Sequence, residues 1–342
     1  MSRRYDVVIG TGGIGSGIFM ALEGNRTLGR EESRPADLLD QRDYCKLHIV
    51  CHYVRRLLGP DVPVLPIGRI GPDDSGRAVL VEMRAAGLDT ALVKTSTRPT
   101  LFAVCFLYPD GDGGNVSTSR SASADVTADD VQQAAALVAA HPGRGVALAL
   151  PEVPLAARQA LLQLATGHGW LRVAAVVPDE LPAVRGSGML TQVDLLALNI
   201  EEAATLGGTS PGRPADEVVT AALSSLADLG SPAHVVVTAG ARGSWTWDGQ
   251  QLVHAPAADP DGAVVSTAGA GDAHLAGIVV ALVAGLDLAA ANAFASIVSA
   301  LKVGSAHTIN PDIDAHAVID AAMRRGLALP PALAAILAGT PE

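Results

Sequence analysis

Between Val131 and Gly240 the chain alternates short apolar runs with longer helical ones, and this alternation limits the fold more than any other feature. "VQQAAALVAAH" reads as a helix and "GVALAL" as a strand. "LAARQALLQLATG" is a helix, "LRVAAVVP" and "VDLLALN" are strands, and "EEAATLG" and "DEVVTAALSSLADLG" are helices before the strand "AHVVVTAG". The helical segments repeat apolar residues at helical spacing, and the strand segments are short and bounded by turn residues. Strands alternating with helices of this length predict a parallel, doubly wound α/β sheet.

The N-terminal third is less regular. Tyr5 to Ile9 reads as a buried strand, and the polar stretch "GNRTLGREESRPADLLDQRD" reads as a long loop or lid with short strands. Tyr44 to Leu58 is a helix on Leu47, Val50, Cys51, Val54, Leu57 and Leu58, stopped by Gly59 and Pro60. "VPVLPIG" is a strand, and "SGRAVLVEMRAAG" is a helix that Gly87 stops. "LFAVCFLYPDGDGGN" is a strand with a hairpin-like turn. "GSWTWDGQQLVHA" is a hairpin turning at Asp248-Gly249, and two or three helices finish the chain. There is no internal repeat and no low-complexity tract.

The 342 residues suit one large α/β domain with a small appendage, and 49% hydrophobic against 17% charged residues supply a substantial core. A net charge of −11 argues against nucleic acid or an anionic membrane as a general partner. Three scattered cysteines, Cys45, Cys51 and Cys105, fit neither a disulfide framework nor a zinc site, so a reducing cytoplasm is the expected compartment. No long apolar region follows the basic N-terminus, so no signal peptide is expected. No uninterrupted apolar run reaches the about 18 residues of a membrane helix.

"VVIGTGGIGSG" contains Gly10, Gly12 and Gly15 in the form G-x-G-x-x-G, the written fingerprint of a dinucleotide site. That fold also needs a second strand ending in an acid about 20 residues on. Glu31 and Glu32 lie at that distance, but "EGNRTLGREESRPADL" holds no strand before them. The stretch therefore reads as glycines at a strand's C-terminal end, where small residues leave room for a ligand or another backbone.

The chemistry sits nearer the other end, in "VVSTAGAGDAHLAGIVVALVAG". Ser266 and Thr267 lead into Gly269, Ala270 and Gly271, then Asp272, then an apolar helix. Glycines let the backbone approach an anion, and helix N-terminal amides carry partial positive charge. Such a nest stabilises a phosphoryl group in transit, and Asp272 in the first turn is placed to take a proton from an attacking hydroxyl. The bland alternative is an ordinary strand-to-helix turn with an N-terminal acid.

This stretch closely resembles the D-T-x-G-A-G-D signature of the PfkB (ribokinase-like) carbohydrate kinase family. Other blocks follow in that family's order. "PIGRIGPDDSGRAVLVEMRAAGLDT" resembles its early G-x-D-x-x-G block, and "DLLALNIEEAATLGG" its N-x-x-E motif with Asn199 and Glu202. "VVVTAGARGSWTWDG" resembles its T-x-G-x-x-G block with Thr238, Gly240 and Gly243. The similarity runs from about Tyr5 to Ala306.

The resemblance implies a three-layer α/β/α sandwich: one kinase domain over 1–342, with a β-rich lid from parts of about 20–45 and 95–120. It implies ATP, Mg2+ and transfer to a small-molecule alcohol, sugar or sugar-like. Asp272 would be the base, with Gly269, Ala270 and Gly271 as the anion hole. Thr238, Gly240, Gly243 and Thr267 would hold the nucleotide. Asn199 and Glu202 would organise the metal through water; they equally fit a capping box. A homodimer through the lid is the expected assembly.

Three departures matter. The acid that ends the first strand in most members falls at Gly15 here. Cys45, Lys46 and Val50 stand where a Gly-Gly pair and an Asn are usual, and Ser266 replaces the leading Asp of the signature, leaving potassium activation open. His274 stands at a commonly aromatic position. The acceptor side is thus expected at Gly12, Gly13, Gly15 and Lys46, with the glycines clearing room and with His48 and His52 near one face with Lys46. Arg26, Arg30 and Arg34 suggest a phosphorylated acceptor, but interleaved acids balance them. The alternatives are a nucleoside or sugar-phosphate kinase, and a catalytically silent ligand-binding member of the fold.

Overall fold

The computed structural model describes residues 3–109, 113–230 and 232–339. The first third runs β1 (Val7–Thr11), β2 (Gly15–Leu22), β3 (Ala36–Tyr44), α1 (Lys46–Leu58), β4 (Val64–Ile70), α2 (Asp74–Ala85), β5 (Val93–Thr95), β6 (Leu101–Leu107) and β7 (Gly113–Ser117). The middle follows as α3 (Ala128–Gln132), α4 (Ala135–Ala140), β8 (Gly145–Ala149), α5 (Leu155–Gly167), β9 (Leu171–Ala175), α6 (Leu181–Ser187), β10 (Leu195–Asn199), α7 (Ile200–Gly207), α8 (Ala215–Asp228) and β11 (His234–Thr238). The hairpin β12 (Ser244–Trp247) and β13 (Leu252–Ala255) precedes α9 (Ala270–Val283), α10 (Leu288–Lys302), α11 (Ala315–Arg324) and α12 (Pro331–Leu337).

The larger sheet has nine strands in the order β13-β12-β11-β10-β9-β8-β1-β4-β5. It is parallel from β5 to β11, and the hairpin adds two antiparallel strands at one edge. Side chains alternate across it. Val8, Val64, Val146 and Leu148 face the layer of α1, α9, α10 and α11. Val7, Ile9, Leu65, Ile67 and Ala147 face α3 and α5, while Leu196, Leu198, Val235 and Val237 face α7 and α8. Burial of alternate residues on both faces gives the three-layer α/β/α sandwich.

The smaller sheet has the order β3-β2-β6-β7, with β2 and β6 parallel and the outer pairs antiparallel. Here the sequence expectation needs correction. The glycine-rich segment is not only the end of a strand, since Gly15 opens the eight-residue β2, and the stretch expected as a loop with short strands holds the nine-residue β3. Three smaller differences follow the same logic of local breaks. The helix expected over 131–141 is split into α3 and α4, four helices rather than two or three close the described chain, and β5 and α6 are additional. The hairpin at Asp248-Gly249 forms as expected, with Gly249 at φ 92° and the Asp248 carboxylate accepting from the amides of Gln250 and Gln251. The turn expected in "YPDGDGGN" involves 110–112, which lie outside the described residues. Among the described residues no helix is long and apolar enough to cross a membrane.

Gly15 and Gly17 are close-approach glycines. A Cβ on Gly15 would fall on the Leu101 carbonyl oxygen and 2.9 Å from Cys45 Sγ. One on Gly17 would meet the Ala103 carbonyl oxygen and lie 2.8 Å from Asp43 Oδ2. The backbone carbonyls are fixed by the β2–β6 ladder, so neither neighbour yields cheaply. Gly15→Ala should therefore lower stability by about 1–3 kcal/mol, the usual cost of overpacking. The measurement is the midpoint of denaturant unfolding at unchanged slope. A midpoint equal to the parent's would show that the small sheet shifts to accept the methyl.

Candidate active site

Gly269 caps α9 in the left-handed region at φ 79°, where a side chain would strike the Thr308 carbonyl. Only glycine fits both constraints, and the chain turns there into the helix. The Ala270 amide donates to the Thr267 carbonyl at 3.0 Å, and the Ala273 amide to the Gly269 carbonyl at 2.9 Å. The amides of Gly269, Gly271 and Asp272 have no partner among the described residues. These are the donors available to an anion, and they lie at the positive end of a 14-residue helix. Ala270 belongs to the turn, but its own amide is spent.

A cavity of about 680 Å³ opens at this helix end. It is lined by Lys46 from α1, Asn199 and Glu202 from the β10–α7 junction, Thr238 at the end of β11, and Gly240 and Gly243 after it. Thr267, Gly269, Ala270, Gly271 and Asp272 complete that wall, with apolar Ala257, Val264 and Val303 further out. Its size and mixed lining suit a small-molecule ligand. Gly271 faces Thr238, whose Oγ1 would lie 3.8 Å from a Cβ at 271. All the residues expected at the catalytic and nucleotide side thus share one cleft at the C-terminal edge of the larger sheet.

Asn199 caps α7 and forms a full capping box with Glu202. Asn199 Oδ1 accepts from the Glu202 amide and Glu202 Oε2 from the Asn199 amide, both at 2.8 Å. The box fixes the pair but leaves Glu202 Oε1 directed to Lys46 Nζ, 4.0 Å away. Lys46 Nζ also lies 3.5 Å from Asp272 Oδ1. Burial disfavours charge on Lys46, but Asp272, Glu202 and Glu152 around it prevail and hold its ammonium above the usual range. Burial raises Asp272 and Glu202, and Lys46 partly pulls both back.

Glu152 was not anticipated from the sequence. It follows β8, and it is the one non-glycine residue at positive φ, 74°, among the described residues. Its Oε2 accepts from the Lys46 amide at 3.3 Å. Crowding by protein and by Asp272 outweighs Lys46 and pushes its carboxyl up to about 7. Its position just past a parallel strand is the signal that would have found it, since ligands gather there.

The glycine-rich stretch does lie at the C-terminal edge of β1, but it leaves no open room. A Cβ on Gly12 would meet Leu150 Cβ at 2.9 Å and Leu47 Cβ at 3.0 Å, and one on Gly13 would strike the Glu152 side chain. Gly12, Gly13 and Gly15 are buried under neighbours and do not line the large cavity. The expectation of cleared space is therefore corrected: the chain's own side chains fill it. Asp43 reaches over Gly17 from β3, and the Cys105 thiol donates to its Oδ2 at 3.0 Å. His48 and His52 also part company with Lys46. They pack among Tyr44 and Tyr53, and burial pushes them down to about 3 and about 4. Arg26 and Arg34 both pair with Glu32.

Lys46→Met should raise the carboxyl pKa of both Asp272 and Glu152, because each loses a cation that favours its charged form. A 13C-detected side-chain titration of parent and variant checks this. Curves that coincide would remove Lys46 from the electrostatics of the site.

The model of the pfkB family carbohydrate kinases matches residues 50–315. No curated protein sequence matches the chain. Among solved structures, it resembles a ribokinase from Cryptococcus neoformans var. grubii serotype A in complex with ADP, with TM-score 0.78, 22% identity, 94% of this chain and 99% of that one covered. It also resembles an Arabidopsis thaliana ribokinase complexed with ribose and ATP, at TM-score 0.68, 20% identity and coverage of 94% and 99%. A Burkholderia thailandensis nucleoside kinase in complex with inosine follows at TM-score 0.72, 18% identity and coverage of 94% and 98%. These likenesses share the ribokinase-like fold described above. With the glycine turn, the acid after it and the capping box all in one cleft, the chain belongs to the PfkB family of carbohydrate kinases, phosphotransferases with an alcohol acceptor.

Proposed function

We propose that the protein transfers the γ-phosphoryl group of ATP to a hydroxyl of a small sugar or sugar-like molecule, with Asp272 as general base. The observation that carries this reading is Asp272 itself. It sits in the first turn of α9 beside three unspent amides, with Lys46 Nζ 3.5 Å from its carboxylate. In the reaction the acceptor hydroxyl gives its proton to Asp272, its oxygen bonds to the γ-phosphorus, and ADP leaves. The amides of Gly269, Gly271 and Asp272 meet the charge spread over the transferred group. Thr238, Gly240, Gly243 and Thr267 hold the nucleotide along the cavity.

Among the described residues no three His, Cys, Asp or Glu side chains converge to hold a metal by themselves. Magnesium favours phosphate and water oxygens with one or two carboxylates, and Glu202 Oε1 with Asn199 beside it suits that partial role through water. When bound, it would neutralise phosphate charge.

The acceptor lies between Asp272, Lys46 and Glu152. The Glu152 carboxyl, held beside the Lys46 amide and packed against Gly13, accepts or donates to a hydroxyl. The lid arginines Arg26 and Arg34 are spent on Glu32, which favours an uncharged polyol over a sugar phosphate. A nucleoside acceptor fits the same chemistry through its ribose. The smaller sheet is the lid. It carries Leu38, Leu39 and Val116 exposed, which supports a homodimer through that sheet. Three free, buried cysteines support a reducing cytoplasm.

Asp272→Asn should keep the fold and ATP binding yet lower turnover by roughly two to four orders of magnitude, once a panel of sugars, nucleosides and polyols yields the acceptor. Turnover near the parent's would sink the assignment of the base. ATP with magnesium should raise the melting temperature by mass action, and NAD should not. Stabilisation by NAD with none by ATP would return the opening glycine motif to a dinucleotide.

A further inference from the structure

Lys302 closes α10 with 0% of its surface exposed, among the largest fully buried side chains. A lysine in the last turn of a helix ordinarily sends its ammonium to water. Here Nζ turns inward and donates to the Ser266 carbonyl oxygen at 2.9 Å, with the Ser305 carbonyl oxygen at 3.5 Å. Among the described residues no carboxylate bonds to it. Burial pulls its pKa down to about 8 while Asp272 pushes the other way, so it stays largely charged near neutrality.

The two segments it joins are the walls of the anion hole. Ser266 begins the turn that delivers Gly269, and the amides of Val265 and Ser266 donate to the Val303 carbonyl at 2.8 and 3.2 Å. The segment after Lys302 runs to Thr308, whose backbone abuts Gly269. A buried ammonium on backbone carbonyls is costly unless those carbonyls converge on it, as they do here.

We infer that Lys302 is a positioning residue, an internal cation that holds the Ser266–Gly269 turn on the 303–308 segment and so sets the anion hole for the transferred phosphoryl group. This rests on the phosphoryl-transfer reading above. The ammonium does what a monovalent ion among carbonyl oxygens would do, so the protein needs no such ion for this purpose.

The test needs no acceptor. ADP with magnesium and aluminium fluoride mimics a phosphoryl group in transit, and ADP with magnesium alone is the control; both are titrated by calorimetry near neutral pH. Lys302→Met should weaken the mimic by about tenfold or more while ADP alone changes by less than about threefold. In Lys302→Ala, about 100 mM ammonium should restore most of the loss relative to sodium, by filling the vacated site. Parent protein should be indifferent to ammonium or potassium. Lys302→Met binding the mimic like the parent would overturn the role of Lys302 and leave the kinase reading standing. A parent that binds neither nucleotide, or gains nothing from aluminium fluoride, would overturn that reading and this inference with it. Should both variants fail to fold, the parent still decides: a gain of about tenfold from potassium or ammonium overturns the inference, and indifference supports it.

Discussion

The central strands of the larger sheet are buried on both faces, and the placement of all the chemistry follows from that constraint. Val7, Val8, Ile9, Val146, Ala147 and Leu148 are each at 0% exposure, so no polar side chain fits mid-strand without a heavy desolvation cost. Polar groups are pushed to the strand ends. Asn199 and Thr238 are the last residues of β10 and β11, and Glu152 follows β8. The parallel order places those ends at one edge, and α9 brings its N-terminus there. A helix end offers amides that carry charge without a side chain, which suits a partly dry cleft.

That edge collects more acid than base. Asp43, Glu152, Glu202 and Asp272 all have carboxyls raised by burial, and Asp272 adds to the rise of the other three. Lys46 is the counterweight within the cleft and Lys302 the one beneath it. The two lysines differ in surroundings and therefore in behaviour. Lys46 faces carboxylates that hold it charged, whereas burial, with no carboxylate bonded to it among the described residues, pulls the Lys302 pKa down. One cation thus balances acids directly, and the other fixes backbone.

Much of this was legible in the sequence. The large sheet announces itself because its strands are short apolar runs between helices, and the GAGD turn because glycine conformation and helix amides are local properties. The smaller sheet was harder to read. "GSGIFMAL" is rich in glycine and "ADLLDQRDY" in charge, so neither looks like a strand alone; β2 is held by pairing with distant β6, and β3 in turn by pairing with β2. Glu152 looks like any loop acid until β8 is placed beside β1. Lys302 looks like an ordinary basic residue at a helix C-terminus, and only the fold of the 303–308 segment shows that it turns inward.

The glycine-rich opening shows where local reading stops. It marks a place of close approach, which is correct, but what approaches is the chain itself. The acid expected on that strand is absent, and acids reach the same region from β3 and from the end of β8, over Gly17 and Gly13. This separates the two halves of the site by the kind of group each uses. The groups proposed for the phosphoryl side are amides, a helix end and a capping box, all tied to the backbone and therefore bound to the fold. In the function proposed above the acceptor meets Lys46 and Glu152, side chains borne on different parts of the chain, and side chains are exchanged by substitution without moving a strand. A chain built this way keeps one chemistry while its acceptor changes.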